Sequence, residues 1–173
     1  MWFLQFFFYP YYLFICILFL FNCSASSTHG FSGVTSSCTG IGFGLCVDGH
    51  VLRGKHGNAG HAGHMLLSEV SQALCGCGNQ GDLEGLISGR NLSQRLQQPL
   101  EVIFTAAANG DLTSLAIAED AAKWLGRGLY NLITTLDLRC ILMGGSVWRH
   151  HARLLAPLVE KEIHSRFPAM TEG

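Results

Sequence analysis

The chain has 173 residues and a formal net charge of −1 at pH 7, with 11 basic and 12 acidic side chains. So balanced a charge gives no electrostatic footprint for nucleic acid or for an acidic membrane surface, and we expect neither as a partner. Beyond its apolar start, about 140 residues remain, which is enough for one domain with its own core or for half of a larger one.

Residues 1–23 are almost wholly apolar and aromatic, with the sequence MWFLQFFFYPYYLFICILFLFNC. A helix of this length could cross a bilayer. It makes a poor signal peptide, because no basic residue precedes Arg53, and Pro10 also interrupts a simple hydrophobic helix. Three interpretations stay open: a membrane anchor, an unusual signal sequence, or a leader from a disrupted or misassigned reading frame. The remaining cysteines suit core strands and ligands rather than disulfides, so we expect a cytoplasmic protein, with membrane anchoring through residues 1–23 as the alternative.

Residues 24–37 form a linker rich in Ser, Gly and Thr that runs into the first predicted strand, which ends near Ser37. A second strand is predicted from Phe43 to Val47. Between them stands the run TGIGFG, residues 39–44, whose glycines would let backbone amides approach phosphate oxygens. A plain glycine-rich hairpin is the alternative.

The strongest chemical pattern in the chain lies in the loop that follows. His64, Cys75 and Cys77 are three soft or borderline metal ligands, and Asp82 supplies a fourth, so the spacing predicts a tetrahedral zinc site. With all four positions filled by protein, no position is left for water, and the metal would be structural rather than catalytic. The alternative is a set of small buried cysteines and loop histidines without a metal.

Helical patterns dominate the rest of the chain. One helix is predicted from Leu83 into Gln97 and a shorter one from Val102 to Ala108, with a break at Pro99 between them. Asp111 can then cap a long helix. Its predicted buried stripe is Leu115, Ala118, Ala122, Leu125, Leu129, Leu132 and Leu136.

Two glycines, Gly126 and Gly128, weaken that long helix locally and predict close packing against the strand that follows. This strand is ILMGGS, residues 141–146, and it runs into a last helix from Val147 to Phe167. On the last helix, the neighbouring pair His150 and His151 is predicted to lie at the solvated surface.

Three runs in this order resemble the ROK family of sugar kinases and sugar-responsive repressors: SSCTGIGFGLCVDGHVLRGKHGNAGHAGHM, CGCGNQGDLEGLISGR and ILMGGSVW. The resemblance covers about Val34 to the C-terminus. It implies an α/β fold, the C-terminal lobe of an actin-like, ribonuclease-H-like sugar kinase. We therefore expect a hydrophobic leader at 1–23, a linker and first strand at 24–37, and an incomplete ROK-type lobe with a zinc knuckle at 34–173.

The resemblance also implies a zinc motif, His followed by Cys-x-Cys-Gly-x-x-Gly-Cys. This motif falls on His64, Cys75, Cys77 and position 82, where this chain has Asp82 instead of cysteine. A carboxylate can ligate zinc, but it exchanges a soft thiolate for a harder oxygen, so we expect a weaker or empty site.

Sugar contacts implied by the resemblance fall on His61, His64 and Glu84. Most family members carry Glu where this chain has His61, and the Gly-His-x-Gly-His variant resembles the N-acetylmannosamine kinase branch. The imidazole of His61 can donate or accept a hydrogen bond near one sugar hydroxyl, which would change which sugar epimer the site prefers. The alternative is that His61 arose by sequence drift, in a chain that no longer needs a hydrogen-bond acceptor there. The carboxylate of Glu84 can accept hydrogen bonds from two adjacent sugar hydroxyls. Alternatively, Glu84 is an acidic residue at the N-terminus of a helix, where the helix dipole favours it, and the two roles are compatible.

A nucleotide site is the third implication, with ATP and Mg²⁺ lying against two glycine-rich turns. The residues concerned are Thr39, Gly40, Gly42, Gly144, Gly145 and Ser146. Ser146 stands where many relatives have a third glycine, which would narrow the slot for the nucleotide.

Kinases of this family also need an Asp-x-Gly-Gly-Thr phosphate loop and an Asn-Asp pair whose Asp is the general base, and neither string occurs in the 173 residues. We therefore nominate no catalytic residue, expect no sugar phosphorylation by this polypeptide alone, and favour the reading-frame interpretation of the leader. The C-terminal edge is expected to be shortened as well.

The intact form is predicted to transfer the γ-phosphate of ATP to the 6-hydroxyl of N-acetylmannosamine. The alternatives are a glucose or N-acetylglucosamine kinase, a ROK sugar-sensing repressor, and a noncatalytic remnant. Relatives are often homodimers.

Overall fold

A computed structural model describes residues 31–37, 40–47 and 50–166. The apolar leader at 1–23, Thr39 and the last residues from Phe167 onward lie outside this part of the chain. Among the described residues, no helix is both long enough and apolar enough to cross a bilayer.

A four-stranded mixed sheet forms one layer of the fold. Its strands are β1 (Phe31–Ser37), β2 (Ile41–Val47), β3 (His50–Val51) and β4 (Leu138–Gly144), and they lie side by side in the order β3-β2-β1-β4. β1 pairs antiparallel with β2 and parallel with β4. The parallel pair requires a long crossover, which the helices provide.

The second strand begins two residues earlier than the sequence pattern predicted. Ile41 is already paired with Ser37 at the end of β1. Side chains on β2 alternate between the core and the outside, with Ile41, Phe43 and Leu45 buried. This period-2 pattern is typical of a sheet with one face on the core.

Five α-helices occupy the described residues and form the other layer. They are α1 (Leu83–Ile87), α2 (Gly89–Leu96), α3 (Leu100–Ala108), α4 (Leu112–Leu136) and α5 (Ser146–Arg166). The core lies where α4 and α5 pack against each other, α3 and the sheet.

The single helix predicted from Leu83 into Gln97 is wrong, because the structure has two helices that meet at Ser88. Ser88 has an extended backbone, with ψ 146°, and its hydroxyl accepts a hydrogen bond from the amide of Asn91. A serine in this conformation ends one helix and begins the next, since it satisfies an amide that the second helix leaves free. The helix end at Gln97 is confirmed, with a left-handed φ of 55°.

The long helix α4 follows the prediction closely. Asp111 caps it, with its carboxylate 2.7 Å from the amide of Ser114. Of the predicted stripe, five residues are buried and the terminal pair, Leu115 and Leu136, packs half-buried against the core.

Close packing at the two α4 glycines is present, but its partner is not the predicted strand. A Cβ at Gly126 would lie 2.8 Å from the Cβ of Glu162 on α5, and a Cβ at Gly128 would lie 2.8 Å from Cδ2 of Leu83 on α1. Both glycines therefore permit close contact between helices. The apolar periodicity of α4 shows which face is buried, but it does not show whether a helix or a strand packs against that face.

Replacing Gly126 by alanine is expected to destabilise the protein by about 1–3 kcal/mol, although alanine is the better helix former. The new methyl would meet a Cβ and the carbonyl of Val159, neither of which can rotate away, so α4 and α5 must separate. The free energy of unfolding in urea measures the effect. Thr135→Ala, on an exposed position of the same helix, serves as control and should change it by less than about 0.5 kcal/mol. A Gly126→Ala protein at least as stable as wild type would contradict this packing.

His151 is not at the solvated surface, so that prediction is wrong, whereas its neighbour His150 is exposed. The ring of His151 is 8% exposed and packs edge-on against Phe104 of α3, with 5.5 Å between ring centroids. Its Nε2 is buried without a hydrogen-bond partner among the described residues. The side chain therefore fills the α3–α5 interface as an apolar ring would.

Lowering the pH is expected to destabilise the fold through His151. Burial, reinforced by His150, lowers the pKa of His151 below its ordinary value of 6.5, against a weaker opposing effect of Glu101. The unfolded chain therefore takes up this proton at a higher pH than the folded chain, so stability is present above about pH 6.5 and is lost as the pH falls towards the folded pKa.

Urea midpoints at about pH 7.5 and about pH 5.5 test this expectation. The difference between them should shrink in His151→Phe and should stay as in wild type in His164→Gln, which alters an exposed histidine on the same helix. An unchanged difference in His151→Phe would show that this group is not responsible.

Candidate metal centre and adjoining carboxylate

The loop after β3 is held against β2 by glycines. Gly60, with φ of 88°, has no room for a Cβ because the carbonyl oxygen of Phe43 lies 2.5 Å from that position, and a Cβ at Gly63 would collide with the carbonyl of Ile41. The intervening turn, Ala62–His64, is a short 3₁₀ helix that ends at the first predicted ligand. Glycine is required here by close approach to another backbone.

Two short bridges then fold the chain back on itself. Leu66 pairs with Asp82, and Leu74 pairs with Gln80. Gly81, with φ of 76°, lies directly against the carbonyl of Ser68, where a side chain could not fit. These contacts return the chain to its starting point and bring residue 82 beside residue 64.

The four predicted ligands lie together as a result. Nδ1 of His64 is 3.2 Å from Oδ2 of Asp82 and 3.6 Å from Sγ of Cys75, and Sγ of Cys77 is 3.5 Å from the same Asp82 oxygen. All four donor atoms fall within 4.8 Å of one another. Tetrahedral zinc with mixed N, O and S ligands has ligand–ligand edges of about 3.3–3.8 Å. The three separations of 3.2, 3.6 and 3.5 Å are close to these edges, and any wider pair would have to draw together around an ion.

Burial is unequal among the donors. Cys75 and Asp82 are 2% and 1% exposed, whereas His64 and Cys77 are at the surface. The site is therefore anchored on the core side and open for metal entry on the other. When bound, zinc would cross-link the two ends of the loop.

Without a cation, the buried thiol is held in its neutral form. Burial raises the pKa of Cys75 far above its ordinary value; hydrogen bonds with the side chains of Asp82, Cys77 and Glu84 raise it further, while the backbone of Cys77 lowers it. A bound divalent cation reverses this balance because it stabilises the thiolate directly. The donor set therefore matches a metal better than it matches an isolated cluster of polar groups.

Asp82 uses its two oxygens for different purposes. Oδ2 faces His64 and Cys77, while Oδ1 accepts a 2.7 Å hydrogen bond from the amide of Gly85 and so caps α1. The sequence indicated the first role but not the second. The Asp-x-x-Gly spacing before a helix was the signal that could have indicated it.

Glu84 stands next to the cluster on α1. Its Oε2 accepts a 2.9 Å hydrogen bond from the amide of Ile41, and its Oε1 lies 3.3 Å from Sγ of Cys75. Gly40 makes the first contact possible, since a Cβ there would lie 2.7 Å from Oε2. A carboxylate has about four lone-pair positions, so both oxygens retain capacity for hydroxyl donors.

The two histidines of the Gly-His-x-Gly-His run are neighbours in space. The rings of His61 and His64 are 5.9 Å apart and nearly perpendicular. Because Nδ1 of His64 points to the donor cluster, its Nε2 lies on the opposite side of the ring. His64 and Glu84 both contact Cys75, and His61 lies beside the ring of His64, so the three residues predicted to face the sugar are linked through these contacts.

The glycine motifs lie at one end of the sheet. Ser36 of β1 pairs with Gly42 on one side and with Gly144 on the other, which places the two motifs in register across a single strand. Gly145 has φ of 96°, a backbone that favours glycine, and α5 begins at Ser146. Thr39 lies outside the described residues.

A family model, described as ROK family, matches residues 24–171. The chain belongs to the ROK family. The structural comparisons agree on an actin-like lobe. A ROK family glucokinase from Streptomyces griseus, solved in complex with glucose and AMPPNP, superposes with a TM-score of 0.70 at 26% identity, covering 82% of this chain and 52% of that one.

Two further relatives of this ROK chain differ in activity. An N-acetylmannosamine kinase from Escherichia coli O139:H28 is 36% identical over 114 residues, which cover 63% of this chain and 39% of that protein. A ROK family transcriptional regulator, a homologue of the E. coli MLC protein, superposes with a TM-score of 0.68 at 27% identity, covering 79% of this chain and 38% of that one. The chain thus spans about two fifths of the length of the curated kinase it matches.

Proposed function

We propose that this chain is the sugar-binding, zinc-bearing lobe of an ATP-dependent ROK kinase whose acceptor is the 6-hydroxyl of N-acetylmannosamine. The observation that carries the proposal is the tethered carboxylate of Glu84, held by the amide of Ile41 at the edge of a four-donor metal cluster. Membership of the ROK family, which contains sugar kinases and sugar-responsive repressors, supports a sugar as the ligand of this carboxylate.

The sugar would lie between Glu84 and the two histidines. The carboxylate accepts hydrogen bonds from adjacent hydroxyls, and Nε2 of His64 and the ring of His61 can each donate or accept. Support for an N-acetylmannosamine acceptor comes from His61 in the Gly-His-x-Gly-His run and from the similarity to an N-acetylmannosamine kinase.

The nucleotide would lie at the glycine end of the sheet, with Mg²⁺ bound to its phosphates rather than in a protein cage. Gly40 and Gly42 on one side, and Gly144, Gly145 and Ser146 on the other, offer bare backbone there. Support comes from the relative that was solved with AMPPNP. A cytoplasmic location would suit the metal site, because Cys75 and Cys77 can bind zinc only as reduced thiols and the cytoplasm keeps thiols reduced.

Phosphoryl transfer needs a general base within hydrogen-bond reach of the acceptor hydroxyl. The Asn-Asp pair expected to supply it does not occur among the 173 residues. We therefore expect this polypeptide to bind sugar, and to contribute to transfer only together with a lobe that carries that pair.

The test is calorimetric titration of the zinc-loaded chain with N-acetylmannosamine, N-acetylglucosamine and glucose. The proposal expects N-acetylmannosamine to bind at least about 10-fold more tightly than the other two, the size of effect that one rewritten hydrogen bond can give. Equal affinities would overturn the acceptor assignment, and no binding of any sugar would overturn the sugar site.

A sugar sensor is the second candidate, favoured by the likeness to the MLC-type regulator. It would bind the same sugars but would not use ATP. Addition of a ROK N-terminal lobe with the Asn-Asp pair, followed by measurement of ADP release, separates the two: ADP release supports the kinase, and sugar binding without it supports the sensor.

A further inference from the structure

The donor cluster holds two thiols that are neighbours both in the chain and in space. Cys75 and Cys77 are separated by Gly76 alone, and their sulfur atoms lie within 4.8 Å of each other. The amide of Cys77 donates to Sγ of Cys75 at 3.5 Å, so the first sulfur already faces the residue that carries the second. Because Asp82 stands where the family motif has cysteine, these two sulfurs can pair within the cluster only with each other.

The backbone between the two thiols allows a bond between them. The amide of Gly78 donates to the carbonyl of Cys75 at 3.0 Å, which closes residues 75–78 into a turn. Residues two apart in a chain are at most about 7 Å apart at Cα, and a turn shortens this distance, whereas a disulfide needs about 4.4–6.8 Å. Nothing lies within 4 Å of the position that a Cβ of Gly76 would take, so the turn has room to adjust as the sulfurs close.

The two sulfurs differ in their access to solvent. Cys77 is exposed, whereas Cys75 is 2% exposed. A small oxidant from solvent therefore reaches Cys77 first, and Cys75 lies behind it as the thiol that can resolve the product. An accessible thiol beside a second thiol is the arrangement typical of a reversible oxidation site.

We propose that Cys75 and Cys77 form a reversible modification site for hydrogen peroxide, and that the disulfide so formed and bound zinc exclude each other. Sγ of Cys77 attacks the peroxide: an S–O bond forms, the O–O bond breaks, and one water leaves with the thiol proton. Sγ of Cys75 then attacks that sulfur: the S–S bond forms, the S–O bond breaks, and a second water leaves with the second thiol proton. The two sulfurs lose two electrons, and the peroxide gains them.

Exclusion follows because the metal and the disulfide use the same sulfurs. Zinc binds the thiolate, and a disulfide has none. After oxidation only His64 and Asp82 remain of the cluster, two donors short of a tetrahedral site. The loop between residues 64 and 82 would thereby lose the cross-link that zinc gives it. The proposal depends on the donor cluster and not on which sugar the chain binds.

The experiment treats the full 173-residue chain with hydrogen peroxide, with and without saturating Zn²⁺, and alkylates the remaining thiols. Trypsin cleavage after Lys55 and Arg90 releases residues 56–90, which contain these two cysteines and no other. In the metal-free chain we expect this peptide to resist alkylation and to be lighter by two hydrogen atoms. Zinc at about 100 times its dissociation constant leaves about 1% of the chain metal-free, so it should slow the reaction by at least about 10-fold.

Zinc binding gives a second measurement. The oxidised chain should bind zinc more than about 100-fold more weakly, since it lacks two ligands, and dithiothreitol should restore the affinity. In Cys77→Ser, peroxide should produce no disulfide in residues 56–90. Cys46→Ser is the matched control, because it removes a cysteine outside the cluster, and it should react as wild type does.

Two results would overturn the proposal: accumulation of Cys77 as a sulfinic acid without a bond to Cys75, or disulfide formation at the same rate with and without saturating zinc. If wild type binds no zinc, the metal centre of the proposed function fails. The reaction of the metal-free chain then still decides the modification site, since the Cys75–Cys77 bond supports it and the absence of that bond overturns it.

Discussion

Replacing Glu84 by glutamine is expected to weaken N-acetylmannosamine binding by about 10- to 100-fold, because a hydrogen bond to a charged acceptor contributes about 1.5–3 kcal/mol. Glutamine keeps the shape of the side chain and one oxygen that can accept from the amide of Ile41, so α1 stays in place. What changes is the charge, together with the capacity of the second oxygen to accept from a sugar hydroxyl. Calorimetric titration of the zinc-loaded protein measures the loss.

The matched control is Glu69→Gln, an exposed acid in the same loop, which should bind sugar as wild type does. A second variant tests the position of the carboxylate rather than its charge. In Gly40→Ala, the new Cβ would lie 2.7 Å from Oε2 of Glu84 and would displace it from the Ile41 amide. We expect a loss comparable to that in Glu84→Gln. Wild-type affinity in both variants would exclude this carboxylate as the sugar acceptor.

Removal of zinc is expected to lower the melting temperature by about 5–10 °C, because zinc at about 100 times its dissociation constant contributes about 2.7 kcal/mol to a chain of this size. Metal that closes a loop stabilises the folded state directly, since the unfolded chain offers no preformed site. Cys75→Ser should lower zinc affinity by more than about 100-fold, because it removes a ligand rather than a supporting contact. Its melting temperature should no longer respond to zinc.

Cys46→Ser is the control for this experiment, since Cys46 is a free cysteine on β2 that does not belong to the donor cluster, and its response to zinc should match wild type. The wild-type affinity for zinc should also rise with pH. Burial raises the pKa of the Cys75 thiol, so zinc must displace a proton that is still bound at neutral pH. A melting temperature that chelator leaves unchanged at every pH tested would show that the cluster holds no metal.

Local patterns predicted most of the helices correctly. Asp111 and the seven-residue apolar stripe were enough for α4, because capping and helical periodicity are properties of neighbouring residues. The same kind of reasoning failed at Ser88, where the backbone adopts an extended conformation that separates two short helices. It failed also at His151, because burial depends on what α3 brings opposite to it.

The sequence by itself determined the family and the donor set. The sequence was enough to identify a group of metal ligands, because residue type and spacing along the chain are visible without the structure. The group is His64, Cys75, Cys77 and Asp82. The three ROK motifs likewise stand in order along the chain, and the family match over residues 24–171 confirms the membership they indicated.

Only the tertiary structure decided how the donor set meets the carboxylate of Glu84, which we propose binds the sugar. Glu84 contacts Ile41, 43 residues away in the chain, and Gly40 leaves room for it. Asp82 turns one oxygen to the donor cluster and the other to Gly85. These contacts depend on how the loop packs on β2. No local sequence pattern encodes that packing, because each contact joins groups that come together only when the chain folds.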